Sequence, residues 1–188
     1  MPNKFRLTRP KRTCTKTYKS YRSYKSYLAN DFNNRCGYTD CPDFWFGGKN
    51  NFHIDHFKPY SKNPDLVSNY SNLVYCCSYV NILKSDDEGS YIDPCEIDFN
   101  DHFERLQDGT IIPVKNSVEA IYMHTKLKLG LVRYSLIWKL DEMFQKKIKL
   151  QSIIDKTNNE EIKGDLLQLY YELDKEFSRY MNYLKANQ

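Results

Sequence analysis

The spacing of apolar and polar residues predicts a helical last part of the chain. Beyond residue 116, apolar residues recur every three or four positions over residues 117 to 128, 131 to 155 and 159 to 185, as in amphipathic helices. Gly130 and the TNN stretch at 157 to 159 predict breaks between these helices. We expect a helical hairpin that caps the core by default, with a homo-oligomer contact or a partner contact as alternatives.

The middle of the chain has shorter patterns. From residue 33 to about 60 it is rich in Gly, Asn, Pro, Cys and aromatic residues, with strand-like runs such as FHIDHF at 52 to 57, which predicts hairpins and loops. Residues 69 to 85, NYSNLVYCCSYVNILKS, carry an apolar stripe that suits one short helix. The DDEGSYIDPC stretch then predicts irregular structure, and residues 96 to 115 predict a loop or small hairpin around Asp108 and Gly109.

Four tyrosines lie three residues apart near the N-terminus, and Lys or Arg follows each of the first three: Tyr18, Tyr21, Tyr24 and Tyr27. One interpretation is a helix whose aromatic stripe packs on the body of the protein. Another is a basic, aromatic face that contacts a phosphate backbone. Both interpretations can hold for different faces of the same segment.

Charge is distributed unevenly along the chain. Residues 1 to 35 contain ten Lys or Arg residues and one acid, Asp31, a net charge of +9; the whole chain has +4, so the remainder has −5. This asymmetry is typical of proteins that bind a polyanion such as nucleic acid. A solvated basic arm without a ligand fits the same charge pattern equally well.

Length and composition limit the class of protein. A chain of 188 residues can bury the core of one domain, with or without a helical extension. No apolar run approaches the roughly 20 residues that a membrane-spanning helix requires, and the N-terminus has no apolar signal-peptide core. We therefore expect a cytoplasmic protein without membrane contact, in which the six cysteines are free thiols or metal ligands.

Three short motifs share a family resemblance: HIDHFKP at 53 to 59, YSNLVY at 70 to 75 and VNILKSD at 80 to 86. Their order and spacing resemble the Asp-His, Asn and Asn of HNH endonucleases with a ββα-metal core, over roughly residues 35 to 86. Residues 93 to 113 resemble, more loosely, the DP…HF…DG segment of bacterial HNH proteins associated with anti-phage defence, such as the Septu nuclease subunit.

The resemblance implies a fold and an activity. We expect an α+β protein with a basic, Tyr-rich N-terminal arm or helix in residues 1 to 32, a small ββα-metal core with the following loop segment in 33 to 115 and a mostly helical region in 116 to 188. The implied activity is metal-dependent hydrolysis of DNA, leaving a 5′-phosphate and a 3′-hydroxyl, in phage defence or restriction. DNA is the implied ligand, and an ATPase or another defence-complex subunit is the implied partner.

The motif residues provide the chemistry that such hydrolysis needs. Asp55 and the amide oxygen of Asn81 would bind one Mg²⁺ or Mn²⁺, which prefer oxygen ligands. His56 would accept a proton from the attacking water, and by resemblance Asn72 would brace the loop that aims His56. In a strand His53 shares a face with Asp55, so it could be a further ligand, a phosphate contact or a structural histidine.

The remaining assignments concern phosphate and structure. By resemblance Lys84 would contact phosphate, and we assign further DNA contacts to Lys58, Lys19, Arg22 and Lys25. We expect such contacts to read shape and backbone, because no base-reading module is recognisable. His102 and His124 are assigned to structure.

The cysteines depart from the pattern of the resemblance. Many HNH proteins hold a structural zinc with two Cys-x-x-Cys knuckles, whereas here Cys36 and Cys41 have four residues between them and Val80 replaces the expected partner of Cys77. Cys36, Cys41, Cys77 and Cys95 could still form a tetrahedral site. We favour buried thiols without zinc. With a zinc, the alternative function is a non-catalytic, zinc-finger-like module that binds nucleic acid or protein.

Overall fold

The computed structural model describes residues 3 to 186, which form an α+β fold with five α-helices and two small antiparallel sheets. The strands are β1 (Asn3–Lys4), β2 (Phe52–His56), β3 (Leu73–Cys77), β4 (Phe103–Arg105) and β5 (Ile111–Pro113). The helices are α1 (Lys25–Asp31), α2 (Ser78–Lys84), α3 (Val118–Lys126), α4 (Val132–Lys156) and α5 (Glu160–Ala186). The α+β class is the one predicted. Within residues 3 to 186, no helix is both long and apolar enough to cross a membrane.

The chain divides into two compact units between Leu131 and Val132. The second unit consists of α4 and α5, which pack on each other as the predicted helical hairpin. Lys147 of α4 forms an ion pair with Asp174 of α5, and its ammonium lies 4.8 Å from the centre of the Phe177 ring. The break between the two helices falls at residues 157 to 159, where the TNN stretch predicted it.

Strands β2 and β3 pair antiparallel, with Asp55 opposite Val74 and His56 opposite Leu73, and α2 begins directly after β3. The expectation of one short helix over residues 69 to 85 was wrong for residues 73 to 77, which form a strand. All five residues of β3 are buried, so both of its faces are covered. A strand of this kind has a continuous apolar sequence, and periodicity cannot distinguish it from a buried helix.

The tyrosine-rich segment is only partly helical. Residues Tyr21–Tyr24 form one turn of 3₁₀ helix, and α1 follows with seven residues. Tyr24 is buried, and its ring lies 5.0 Å from that of Tyr18 and 4.8 Å from that of Tyr70. This part of the aromatic stripe therefore packs inward, as the first interpretation expected.

Several cations of the N-terminal segment are internal. Arg6 is 3% exposed and donates to the carbonyl oxygen of Gly37 at 2.7 Å. Arg12 donates to the carbonyl of Leu73 at 3.1 Å and forms an ion pair with Asp93 at 3.0 Å. The sequence predicted that the basic residues of this segment lie on an arm that is solvated or binds DNA. Arg6 and Arg12 instead hydrogen-bond within the protein and stabilise the fold.

Of the loop or small hairpin predicted around Asp108 and Gly109, the structure shows the hairpin, formed by β4 and β5, and β1 joins β4 at its other edge. Gly109 has φ 89°, a left-handed conformation that glycine adopts without strain. Arg105 of β4 is fully buried and donates to the carbonyl oxygens of Phe5, Gly109 and Thr39. It thereby joins this sheet to the loop of residues 36 to 41, which reaches the site described next.

Candidate active site

The motif residues meet at a cleft of about 620 Å³, where β2 ends beside α2. Asp55, His56 and Asn81 line it, and Tyr21 and Tyr60 contribute aromatic walls. The antiparallel pairing of β2 with β3 explains the convergence, because it brings the start of α2 back beside β2. Residues that are 26 positions apart in sequence, such as Asp55 and Asn81, thus line one cavity.

Asp55 is 3% exposed and has two partners from outside β2. The Tyr38 hydroxyl donates to one carboxylate oxygen at 2.6 Å, and the Lys84 ammonium lies 3.2 Å from both carboxylate oxygens. Burial raises the pKa of Asp55, while the Lys84 charge and the Tyr38 hydrogen bond oppose that rise. Burial and the neighbouring Asp55 charge also raise the pKa of Tyr38 well above its usual value, so its hydroxyl keeps its proton and donates a hydrogen bond to the carboxylate.

Lys84 lies inside the protein, and this corrects the phosphate contact that the sequence assigned to it. Its side chain is 0% exposed, and its ammonium also donates to the carbonyl oxygen of His56 at 2.9 Å. A buried ammonium needs a carboxylate partner or several acceptors, and Lys84 has both. In this arrangement its amine contacts Asp55 and cannot reach a phosphate at the surface.

His56 is held between two aromatic rings. The centres of the Tyr21 and Tyr60 rings lie 4.8 and 5.1 Å from that of the imidazole, both approaching edge-on. Nε2 of His56 lies 2.9 Å from the carbonyl oxygen of Val67. Because a carbonyl only accepts, Nε2 carries the hydrogen and the neutral ring has its lone pair on Nδ1. No residue within 3 to 186 forms a hydrogen bond with Nδ1.

Asn72 lies beside the segment that follows β2, where the sequence placed its bracing role. Its side-chain oxygen accepts from the Lys58 amide at 2.8 Å, and its side-chain nitrogen donates to the Lys58 carbonyl at 3.0 Å. The carbonyl oxygen of Asn72 accepts from the Phe57 amide at 2.8 Å. These contacts fix the backbone directly after His56. The Lys58 side chain is exposed.

Asn81 contacts His53 and makes no hydrogen bond with Asp55 among the residues that the structure describes. Its side-chain nitrogen lies 3.2 Å from Nδ1 of His53, which is exposed. His53 lines a second cleft of about 450 Å³, and Asn81 lines both clefts. Since the amide nitrogen is bonded to His53, the amide oxygen is the end of Asn81 that remains for a ligand.

The predicted DNA-contacting cations differ in their exposure. Lys19 and Arg22 are exposed, and Arg22 lines the second cleft. Lys25 lines the same cleft, but its ammonium donates to the carbonyl of Phe52, and burial lowers its pKa. Of these three arm residues, Lys19 and Arg22 are therefore the ones accessible to an anion, while Lys25 anchors α1 to β2.

The cysteines are all free thiols, and Cys36 lies close to Cys77. The sulfur atoms of Cys36 and Cys77 are 3.9 Å apart. Burial raises the pKa of Cys36, but hydrogen bonds from Cys77, Thr39 and the backbone outweigh it and lower the pKa to about 6. Burial raises the pKa of both Cys41 and Cys95 to about 12. Among residues 3 to 186, no three His, Cys, Asp or Glu side chains form a metal-binding group, and the zinc site stays a prediction.

Sequence reasoning missed Tyr38 and the two tyrosines that flank His56. Tyr38 lies between the cysteines of CGYTDC, where the spacing drew attention to sulfur, and only the fold brings its hydroxyl to Asp55. Tyr21 belongs to the repeated tyrosines, but the repeat does not indicate that its ring contacts His56. Comparisons of the chain with family models, with curated proteins and with solved structures found no match.

Proposed function

We propose that this protein is a metal-dependent endonuclease of the HNH type that hydrolyses DNA. The observation that carries the proposal is the His56 ring, which is anchored through Nε2 and shares one cleft with Asp55 and Asn81. A histidine fixed in this way has one nitrogen left to accept a proton. A carboxylate and an amide oxygen beside it are hard donors, as hydrolysis of a phosphodiester requires.

The residues of the cleft fit a single divalent ion with few protein ligands. A carboxylate has about four lone-pair positions, so Asp55 can accept from Tyr38 and Lys84 and still bind a cation. Asn81 would add its amide oxygen, with water and phosphate completing the shell, as is usual for Mg²⁺. Mg²⁺ or Mn²⁺ bound there would neutralise charge on the phosphate oxygens.

The chain's own groups account for activation of the water. Nδ1 of His56 would take a proton from a water in the cleft, while the Val67 carbonyl keeps the hydrogen on Nε2. The rings of Tyr21 and Tyr60 restrict rotation of the imidazole. Asn72 fixes the backbone that follows, so the base has one orientation.

Binding of the substrate backbone would use exposed cations near the clefts. Lys19, Arg22 and Lys58 are exposed, and Arg22 lines the second cleft beside His53. Such contacts position a polyanion without reading its sequence. The role in phage defence and the partner ATPase implied by the resemblance stay predictions, as does the cytoplasmic location.

One observation favours a second candidate, a binding module without catalysis. The Asp55 carboxylate already has a buried counter-ion in Lys84, so the pair could serve the fold alone. In that case His56 and Asp55 would be structural, and the exposed cations would provide the function. Metal-dependent cleavage distinguishes the two candidates.

The test is a cleavage assay with the purified full chain. Supercoiled plasmid, single-stranded DNA and RNA are incubated with Mg²⁺, Mn²⁺ or Zn²⁺, and in parallel with EDTA. The proposal expects DNA cleavage with Mg²⁺ or Mn²⁺, products with 5′-phosphates and no cleavage in EDTA. Intact DNA under every metal condition, or cleavage that persists in EDTA, would contradict it.

A further inference from the structure

Lys84 occupies an unusual position for a lysine in a candidate metal site. Its ammonium is 0% exposed and lies 3.2 Å from both oxygens of Asp55. It donates to the His56 carbonyl at 2.9 Å and lies 5.4 Å from the centre of the Tyr91 ring. An ammonium has three donors and loses much solvation when buried, so these contacts hold it firmly in place.

The charge balance around Asp55 is therefore complete before any ligand binds. The carboxylate and the Lys84 ammonium cancel, and the Tyr38 hydroxyl satisfies a further lone pair at 2.6 Å. Asn81 is neutral. Within residues 3 to 186, no three acidic, histidine or cysteine side chains lie close enough together to form a metal-binding group. Asp86 also lines the cleft, but its carboxylate is exposed to solvent. At Asp55 itself, a divalent cation would meet little net negative charge and a fixed positive charge a few ångströms away.

Repulsion between two cations is strong where solvent screening is weak. The same site becomes favourable when a phosphodiester brings its own negative charge and oxygen ligands. We infer that Lys84 is a built-in competitor of the divalent cation at Asp55, so that the cation binds only weakly to the free protein and is held together with the substrate phosphate. The ligand of the cleft is then the cation and the phosphodiester together. This inference rests on the proposed function, since it concerns the same cleft.

The inference gives Lys84 a positioning role, because it acts on the cation and substrate through Asp55. It also explains why a cleft with so few protein ligands could belong to a hydrolase. If Lys84 merely stabilised the fold, removal of its charge would leave the cation affinity of the DNA-free protein unchanged.

The experiment measures the affinity for Mn²⁺ by electron paramagnetic resonance of the unbound ion, with the full chain at fixed pH and salt. Wild type is titrated alone and with a duplex that carries phosphorothioate linkages, after subtraction of the Mn²⁺ bound by the duplex alone. We expect affinity at least about tenfold tighter with the duplex, a difference of about 1.4 kcal/mol. Equal affinity in the two titrations would overturn the inference.

Two variants test whether the effect comes from the charge of Lys84 and not from the loss of any lysine near the cleft. Lys84→Met keeps the shape of the side chain and removes its charge, and it should bind Mn²⁺ without DNA at least about tenfold more tightly than wild type. Lys62→Met, which removes a half-exposed partner of Glu88 at 3.3 Å, is the matched control and should match wild type. Unchanged affinity in Lys84→Met would overturn the inference. If that variant does not fold, Lys84→Gln, which also removes the charge, takes its place, and equal affinity of wild type with and without the duplex would still overturn the inference.

Plasmid cleavage by the same wild-type preparation separates this inference from the proposed function. If the protein cleaves the plasmid and binds Mn²⁺ equally tightly with and without the duplex, the inference is overturned and the proposed function is not. Absence of cleavage, with no Mn²⁺ bound in either titration, would overturn the proposed function and the inference with it.

Discussion

Replacement of Tyr38 by Phe tests whether the buried network around Asp55 exists as described. The change deletes one hydroxyl from a fully buried ring and removes its 2.6 Å hydrogen bond to the carboxylate. A hydrogen bond to a charged group contributes about 1.5–3 kcal/mol. Because Asp55 keeps Lys84, we expect a loss of about 2 kcal/mol in the free energy of unfolding. For a chain of this size, that corresponds to a melting temperature lower by about 4–8 °C.

The assay is urea denaturation followed by circular dichroism, supported by thermal melts. Tyr79→Phe is one control: the ring is 41% exposed, its hydroxyl has no hydrogen bond within residues 3 to 186, and the loss should stay within about 0.5 kcal/mol. Tyr75→Phe is the other, because its buried hydroxyl donates to Asp43 and not to Asp55. It should lose stability without changing Mn²⁺ affinity. A Tyr38→Phe protein as stable as Tyr79→Phe would refute the network.

Three further predictions concern neighbouring contacts. Asn72→Ala removes two side-chain hydrogen bonds to the part-buried backbone of Lys58, so unfolding in urea should show a loss of about 1–3 kcal/mol. A change below about 0.5 kcal/mol would contradict this. His53→Ala removes the hydrogen bond that orients the Asn81 amide. The Mn²⁺ concentration for half-maximal cleavage should therefore rise about tenfold, with the stability of the protein unchanged. An unchanged Mn²⁺ dependence would contradict this role of His53. Hydrogen bonds from the hydroxyl groups of Tyr122 and Tyr91 lower the pKa of Asp87. The ionised carboxylate therefore stabilises the fold at pH values above its unfolded pKa, and this stabilisation is lost as the pH falls. The melting temperature of Asp87→Asn should therefore be lower than that of wild type at pH 7, and the difference should be smaller at pH 3. The same difference at both pH values would contradict this pH dependence.

Local sequence patterns determined much of the fold. The helices α3 to α5 follow from apolar residues at three- and four-residue spacing, and a capping serine, Ser117, starts α3. The turn between β4 and β5 follows from Asp108 and Gly109, since the glycine adopts a positive φ without strain. These features depend on neighbours in the chain, so the sequence alone was sufficient.

The parts of the site that sequence could not predict depend on long-range contacts. Lys84 is buried because a carboxylate 29 positions earlier faces it, and nothing near Lys84 in the sequence indicates that partner. Tyr38 reaches Asp55 from a loop that long-range contacts hold in place, among them those of Arg105 with Thr39 and of Arg6 with Gly37. Strand β3 was mistaken for helix because its apolar residues are buried on both sides.

The most direct test of the proposed activity is the single-turnover rate of DNA cleavage by wild type and His56→Ala. His124→Ala is the matched control, since His124 also contacts a backbone carbonyl through Nε2, at 3.0 Å, but does not line the cleft. Loss of a general base typically slows a reaction by about 10²–10⁴-fold. We predict a loss of that size for His56→Ala, with His124→Ala close to wild type in Mg²⁺ or Mn²⁺. Equal rates for wild type and a folded His56→Ala protein would contradict the assignment of His56 as the base.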